Sequence, residues 1–150
     1  QYSIKSIGAN YRMTEIQAAF GIQQLKKVNL FKIKKNQISK FYKKNLNNKK
    51  LFFQSSNFTY SSALIYFQVI FKKSKIRDLI AYHLNKKKIG ISVHWDPILE
   101  KHDIFKTQKF CKNSYDLSKK ILSIPLYPSL KRSDQIKIIK IINSYLEIEK

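Results

Sequence analysis

Glycine, arginine and cysteine are all scarce in these 150 residues, and each shortage excludes something. A single cysteine, Cys111, rules out an internal disulfide and a cysteine-based zinc cluster, and fits a reducing compartment. With only Gly8, Gly21 and Gly90, there is no glycine-rich loop to cradle a phosphate. The three histidines, His83, His94 and His102, lack zinc spacing, so no metal site is expected. No apolar run approaches the ~20 residues needed to cross a bilayer, and no signal-peptide pattern is present. The expected location is therefore cytoplasmic, with no membrane partner. The chain opens at Gln1, without an initiator methionine and in a loop-like run, which gives the expectation of a piece of a longer protein.

What is abundant is lysine. The formal net charge is +21, yet 27 of the 30 basic residues are lysine and only Arg12, Arg77 and Arg132 are arginine. Recognition of phosphates and bases favours the bidentate arginine fork. Here the lysines come in scattered pairs and triples, alongside much isoleucine, asparagine, tyrosine and phenylalanine, as A/T-rich codons would give. A solvated surface is the expected reading, with no nucleic-acid partner. The alternative of another class is a basic module whose lysines contact nucleic acid or an anionic surface.

Periodicity outlines the elements. Thr14 followed by Gln17 is a capping-box pattern that starts a helix. Ile16, Ala19, Phe20, Leu25, Val28, Phe31, Ile38, Phe41 and Tyr42 continue at roughly helical spacing until "NLNN" at 45–48, giving a long helix with room for a bend or break. Gly21 within it is either a tolerated defect or a point of close backbone approach. A connection over 51–62 with room for one short strand leads to a buried strand over 63–71. Ser74 caps a helix whose face is Ile76, Leu79, Ile80, His83 and Leu84, with His83 read as a packed or rim residue. A strand over 89–95, a loop broken by Pro97, a helix over 109–121, an extended "LSIPLYP" and a helix over 133–149 on Ile136, Ile139, Ile142 and Leu146 complete the chain. Such alternation predicts an α/β fold, with helices packed on one small sheet in an α+β arrangement.

No self-contained active site emerges from these residues. The polar candidates stand at element ends: Asn10 and Arg12 ahead of the first helix, His94 and Trp95 at the end of a strand. The stretch holding the first pair, "GANYRMTEIQAAFGIQQLKK", resembles a motif of the DegT/DnrJ/StrS family of pyridoxal-phosphate-dependent sugar aminotransferases. Gly8, Asn10, Arg12, Met13, Thr14, Glu15, Ala18, Ala19, Gly21, Gln24 and Leu25 fall in register with it. "KIGISVHWDPI" and "LSIPLYPSL" resemble two further stretches of the same family, in the same order, so that the likeness covers nearly the whole chain.

The resemblance implies the C-terminal part of a fold-type-I pyridoxal-phosphate-dependent transferase. Residues 1–50 would be the end of the large domain and a connecting long helix, and 51–150 the C-terminal small domain. The Schiff-base lysine of such enzymes precedes the Gly8 motif, so none of the lysines here is assigned that role and no catalytic residue is named. The fragment alone is expected to be inactive. The implied partners are a second copy in a homodimer with a shared active site, a nucleotide-sugar substrate, and an amino donor, with glutamate expected. The product would enter polysaccharide or glycan biosynthesis. Asn10 would reach the phosphate of pyridoxal 5'-phosphate across that interface; taken alone, it reads as a residue satisfying backbone in the turn. Arg12 suits either the donor's carboxylate or an interface salt bridge. His94 and Trp95 would border the sugar-nucleotide pocket, His94 reading otherwise as a strand-end histidine bonded to backbone, and the tryptophan replacing the usual tyrosine or phenylalanine, with Leu99 where a second histidine is frequent. Relatives of the fold that act as sugar dehydratases or regulators are the alternative within the family.

Overall fold

The computed structural model describes residues 6–46, 49–54, 64–105 and 110–147. Two compact units make up the chain, residues 1–30 and residues 31–150. In the first, helix α1 (Glu15–Leu25) is closed by the expected capping box. The Thr14 amide donates to Gln17 Oε1 at 2.9 Å, and the Gln17 amide donates to Thr14 Oγ1 at 3.3 Å. The helix stops at a turn through Lys26 and Lys27, after which α2 (Val28–Asn45) begins. The long helix is thus two. α1 buries no residue, and Ile16, Phe20 and Leu25 are exposed within this chain. Among the described residues nothing lies within 4 Å of where a Cβ at Gly21 would stand.

The second unit is built on a three-stranded antiparallel sheet in the order β1 (Leu51–Phe53), β2 (Phe67–Phe71), β3 (Ile121–Ile124). Phe67 pairs with Ile124 and Ile70 with Ile121 on one side of β2, while Leu51 pairs with Phe71 on the other. Phe67, Val69 and Phe71 alternate into the core as period-2 geometry requires. They meet Ile80 and Leu84 of α3 (Ser74–Lys86), Ile138, Ile142 and Leu146 of α5 (Arg132–Glu147), and Ile38 and Tyr42 of α2. The Arg132 guanidinium lies 3.4 Å from the centre of the Phe41 ring, at the start of α5. This is the expected α+β arrangement of helices on a small sheet.

Several expectations shift. The buried strand begins at Phe67 rather than at 63; residue 63 and most of the 51–62 connection lie outside the described residues, although the short strand allowed for there is β1. The segment 89–95 is not a strand: among the described residues its one sheet contact is the bridge between Ser92 and Ser123. The third helix is the shorter α4 (Lys112–Ser118), and Lys109 is outside the described residues. Two helix faces are rotated by about one position. α3 buries Arg77, Ile80, Ala81 and Leu84 while Leu79 is exposed, and α5 buries Ile138 while Ile136 is exposed. His83 is half-buried as a packed residue, its ring stacked on Tyr145 at 4.1 Å.

Candidate functional site

Asn10 and Arg12 belong to the first unit and stand in an irregular run that leads into the Thr14 cap. Both are exposed, and among the described residues neither side chain has a hydrogen-bond partner. The capping box explains why this run is held open. Thr14 is committed to its cap with extended backbone, so the preceding residues cannot join the helix, and their polar groups face outward.

His94 and Trp95 belong to the second unit. Ser92 and Ser123 exchange two backbone hydrogen bonds, of 3.1 and 2.9 Å, which fix the approaching chain to the free side of β3. The chain then leaves the sheet. The His94 ring lies 4.4 Å from that of Tyr66 and 5.8 Å from the Trp95 indole, and its Nε2 is buried with no hydrogen-bond partner among the described residues. Trp95 has φ of 64°, in the left-handed region, and is 68% exposed. A cis peptide joins Asp96 to Pro97, and two short 3-10 turns, Leu99–Lys101 and Asp103–Phe105, follow.

Between this loop and α4 lies a cavity of about 560 Å³. Its walls are His94, Trp95, Ile98, Leu99 and Phe105 on the loop side, and Leu117, Ser118 and Ile121 opposite, with Glu100 and Ser114 adding polar groups. An apolar enclosure with a few polar groups, in this size range, suits a small organic ligand.

An ion cluster braces the cavity from behind. Lys119 Nζ donates to both oxygens of Asp96, at 2.8 and 3.0 Å, and Arg77 comes within 3.9 Å of the same carboxylate. The Asp96 hydrogen bond, chiefly, raises the Lys119 ammonium above its ordinary pKa. Arg77 is buried, yet its guanidinium is satisfied: it donates to the carbonyls of Ser118 (3.3 Å) and Ile121 (3.2 Å) and to Asp78 Oδ1 (2.6 Å). Near the cavity rim, the Ser114 hydroxyl donates to Cys111 Sγ at 3.2 Å, and the Cys111 amide donates to Glu100 at 3.3 Å. Hydrogen bonding from Ser114 pulls the exposed Cys111 thiol below its usual pKa. Among the described residues no group of three histidine, cysteine, aspartate or glutamate side chains is placed to hold a metal.

Sequence reasoning pointed to His94 and Trp95, which line this cavity, and did not single out Asp96, Lys119 or Arg77. A signal existed for the last. Arg77 shares an i, i+3, i+4, i+7 row with Ile80, Ala81 and Leu84, and an arginine on such a row must find partners inside the fold. The Asp96–Lys119 pair spans 23 positions and left no local pattern to read.

Comparison with known proteins gives the context. The chain is 30% identical over 151 residues to GDP-perosamine synthase of Escherichia coli O157:H7, covering 97% of this chain and 40% of that protein. It superposes with a TM-score of 0.83 and 23% identity on PseC of Helicobacter pylori, an aminotransferase involved in the biosynthesis of pseudoaminic acid, over 97% of this chain and 41% of that one. It superposes equally, at 0.83 with 24% identity, on a DegT DnrJ EryC1 StrS aminotransferase of Brucella abortus, over 97% and 39%. The chain thus spans about two fifths of the length of these relatives. The superpositions establish the fold as that of fold-type-I enzymes, and the cofactor of the family is pyridoxal 5'-phosphate. Residues 1–143 match the family's defining pattern, and the chain belongs to the DegT/DnrJ/EryC1/StrS aminotransferase family.

Proposed function

We propose that these residues are the C-terminal part of an aminotransferase that moves an amino group, from glutamate, onto a keto-sugar linked to a nucleotide, in the cytoplasm and on the way to a polysaccharide or glycan. Residues 1–50 would close the large domain and connect it to a small domain of residues 51–150. Active sites would be shared across a homodimer, and the cofactor lysine would lie ahead of Gly8. The observation that carries the reading is the family match over residues 1–143, within which Asn10 and Arg12 stand exposed and unengaged among the described residues.

The residues present fit the cofactor in one respect. The Asn10 carboxamide, exposed and without a partner among the described residues, offers a neutral N–H donor to a phosphate oxygen. The Arg12 guanidinium, equally exposed, offers a bidentate fork to the carboxylate of the amino donor. When bound, pyridoxal phosphate supplies the electron sink for amino-group exchange. The role of this chain is then to bind and to orient. Trp95, Phe105 and Leu117 present apolar surface to a sugar face and exclude water, while His94, Glu100 and Ser114 offer the few polar contacts that fix its orientation.

The test uses the full-length protein loaded with pyridoxal phosphate, given glutamate and a nucleotide-linked keto-sugar, with 2-oxoglutarate and the amino-sugar nucleotide measured together. Stoichiometric formation of both is expected. Asn10→Ala should weaken retention of the cofactor, and Arg12→Ala should raise KM for glutamate selectively. Absence of sugar-dependent 2-oxoglutarate in the loaded wild-type protein would overturn the reading.

A further inference from the structure

We propose that Asp96, clamped by Lys119 and backed by Arg77, is a positioning residue that holds Trp95 in its left-handed backbone conformation and so sets the width of the cavity entered by the sugar end of the substrate. The assignment of the ligand rests on the function proposed above; the positioning itself rests on geometry alone.

Trp95 has φ of 64°, a conformation that bulky side chains seldom adopt and that relaxes unless its surroundings hold it. Burial does not hold it, because the residue is 68% exposed. Its restraint comes from its chain neighbours. Three positions earlier, Ser92 is fixed to Ser123 by two backbone hydrogen bonds. One position later, both oxygens of Asp96 accept from Lys119.

Both anchors lead to the same short stretch of chain. Lys119 directly follows α4, Ser123 lies in β3, and Arg77 donates to the carbonyls of Ser118, the last residue of α4, and Ile121, the first of β3. Arg77 is therefore the post to which the turn from α4 to β3 is tied, and its 3.9 Å approach to Asp96 adds a second positive charge behind the carboxylate. The two walls of the cavity are these same two stretches, with His94 and Trp95 on one and Leu117, Ser118 and Ile121 on the other. The ion pair joins these two stretches outside the cavity lining, beside the Ser92–Ser123 bonds, so its loss would free the Trp95 wall to shift against the other. Asp96 and Lys119 side chains are 22% and 39% exposed, which leaves the contact partly shielded from competing water.

The experiment uses the full-length holoenzyme with Asp96→Asn, Lys119→Met and Lys119→Arg. The first two should raise KM for the nucleotide-linked keto-sugar by about tenfold, with kcat within about twofold and KM for the amino donor unchanged; Lys119→Arg, which keeps a carboxylate partner, should stay near wild type. A second readout needs no substrate. With 5-fluorotryptophan incorporated and the Trp95 resonance assigned by Trp95→Phe, the 19F signal should be single in wild type, shifted or split in Asp96→Asn and Lys119→Met, and restored in Lys119→Arg. An unchanged 19F signal in folded Asp96→Asn and Lys119→Met overturns the positioning role. A moved signal with an unchanged sugar KM overturns the link to specificity. If the wild-type enzyme transfers no amino group to such sugars while the signal responds as expected, the proposed function fails and the positioning role stands.

Discussion

The Tyr42 hydroxyl donates to the Pro125 carbonyl at 3.1 Å, tying α2 to the residue that follows β3 across 83 positions of chain. The ring is fully buried and packs 5.1 Å from that of Phe67, so burial, ahead of the nearby Tyr127 and Asp134, pushes its pKa up and keeps it a donor. Tyr42→Phe should lose about 1 kcal/mol, the net worth of one hydrogen bond, and Tyr42→Ala about 4 kcal/mol through the cavity it leaves. Urea unfolding of both variants checks this; a Phe variant as stable as wild type would show that the Pro125 carbonyl finds another partner.

Arg77 should matter more for stability than its place on a helix suggests. Its removal strands the Ser118 and Ile121 carbonyls and leaves Asp96 with Lys119 alone. Arg77→Met is expected to lose about 3 kcal/mol, and Arg77→Lys somewhat less, since a single ammonium cannot span both carbonyls. Thermal unfolding of the two variants, side by side, separates the charge from the geometry.

Some local signals were legible in the sequence and the long-range ones were not; Ser74, expected to cap α3, is instead its first residue, with Lys73 at the N-cap and no side-chain cap bond. The Thr14–Gln17 capping box works over three positions and stands as expected. The 89–95 segment alternates as a strand does, but a strand needs a partner along its length, and only Ser92 reaches Ser123. The helix faces drifted because Arg77 and Gln135 occupy buried positions that polarity had assigned to solvent; each is admitted because it is satisfied, Gln135 by donating to the Leu130 carbonyl at 2.9 Å. Of the candidate site, a motif pointed to His94 and Trp95, which line the cavity, whereas the Asp96–Lys119 salt bridge beside them depends on the fold.

The end of α3 offers a stabilising change. After α3 the chain turns at Lys88, whose φ is 56°. The Lys88 amide bonds to the Asn85 carbonyl at 2.8 Å and the Ile89 amide to the Leu84 carbonyl at 3.0 Å, a Schellman motif with lysine where glycine is usual. Lys88 is exposed, so Lys88→Gly relieves backbone strain without removing a packed side chain. A gain of about 0.5–1 kcal/mol is expected by denaturant titration, after the extra freedom of glycine in the unfolded chain is offset.

The Lys119–Asp96 pair predicts a stability difference at high pH. A folded-state pKa raised above the ordinary 10.5 means that the contribution of Lys119 is complete below that value and disappears as pH rises through the higher folded one. Wild type and Lys119→Met should therefore converge in Tm above pH 10.5, having differed below it. A constant gap across that window would show that the side chain stabilises through its aliphatic stem instead.

Cys111 should be the reactive thiol of the described residues. It is exposed, and its pKa is lowered first by the Ser114 side-chain hydrogen bond, against smaller opposing effects that include the Glu100 carboxylate. Lowering favours the thiolate, so alkylation by iodoacetamide should reach its half-maximal rate at a lower pH than for a free cysteine. Ser114→Ala removes the donor and should move that midpoint upward, while Glu100→Gln removes the opposing charge and should move it further down. Because Ser114 and Glu100 also line the cavity, a ligand seated there should slow the same reaction. Protection by a nucleotide-linked sugar, and none by the nucleotide alone, would locate the sugar end at this rim; equal protection by both would instead put the nucleotide against it.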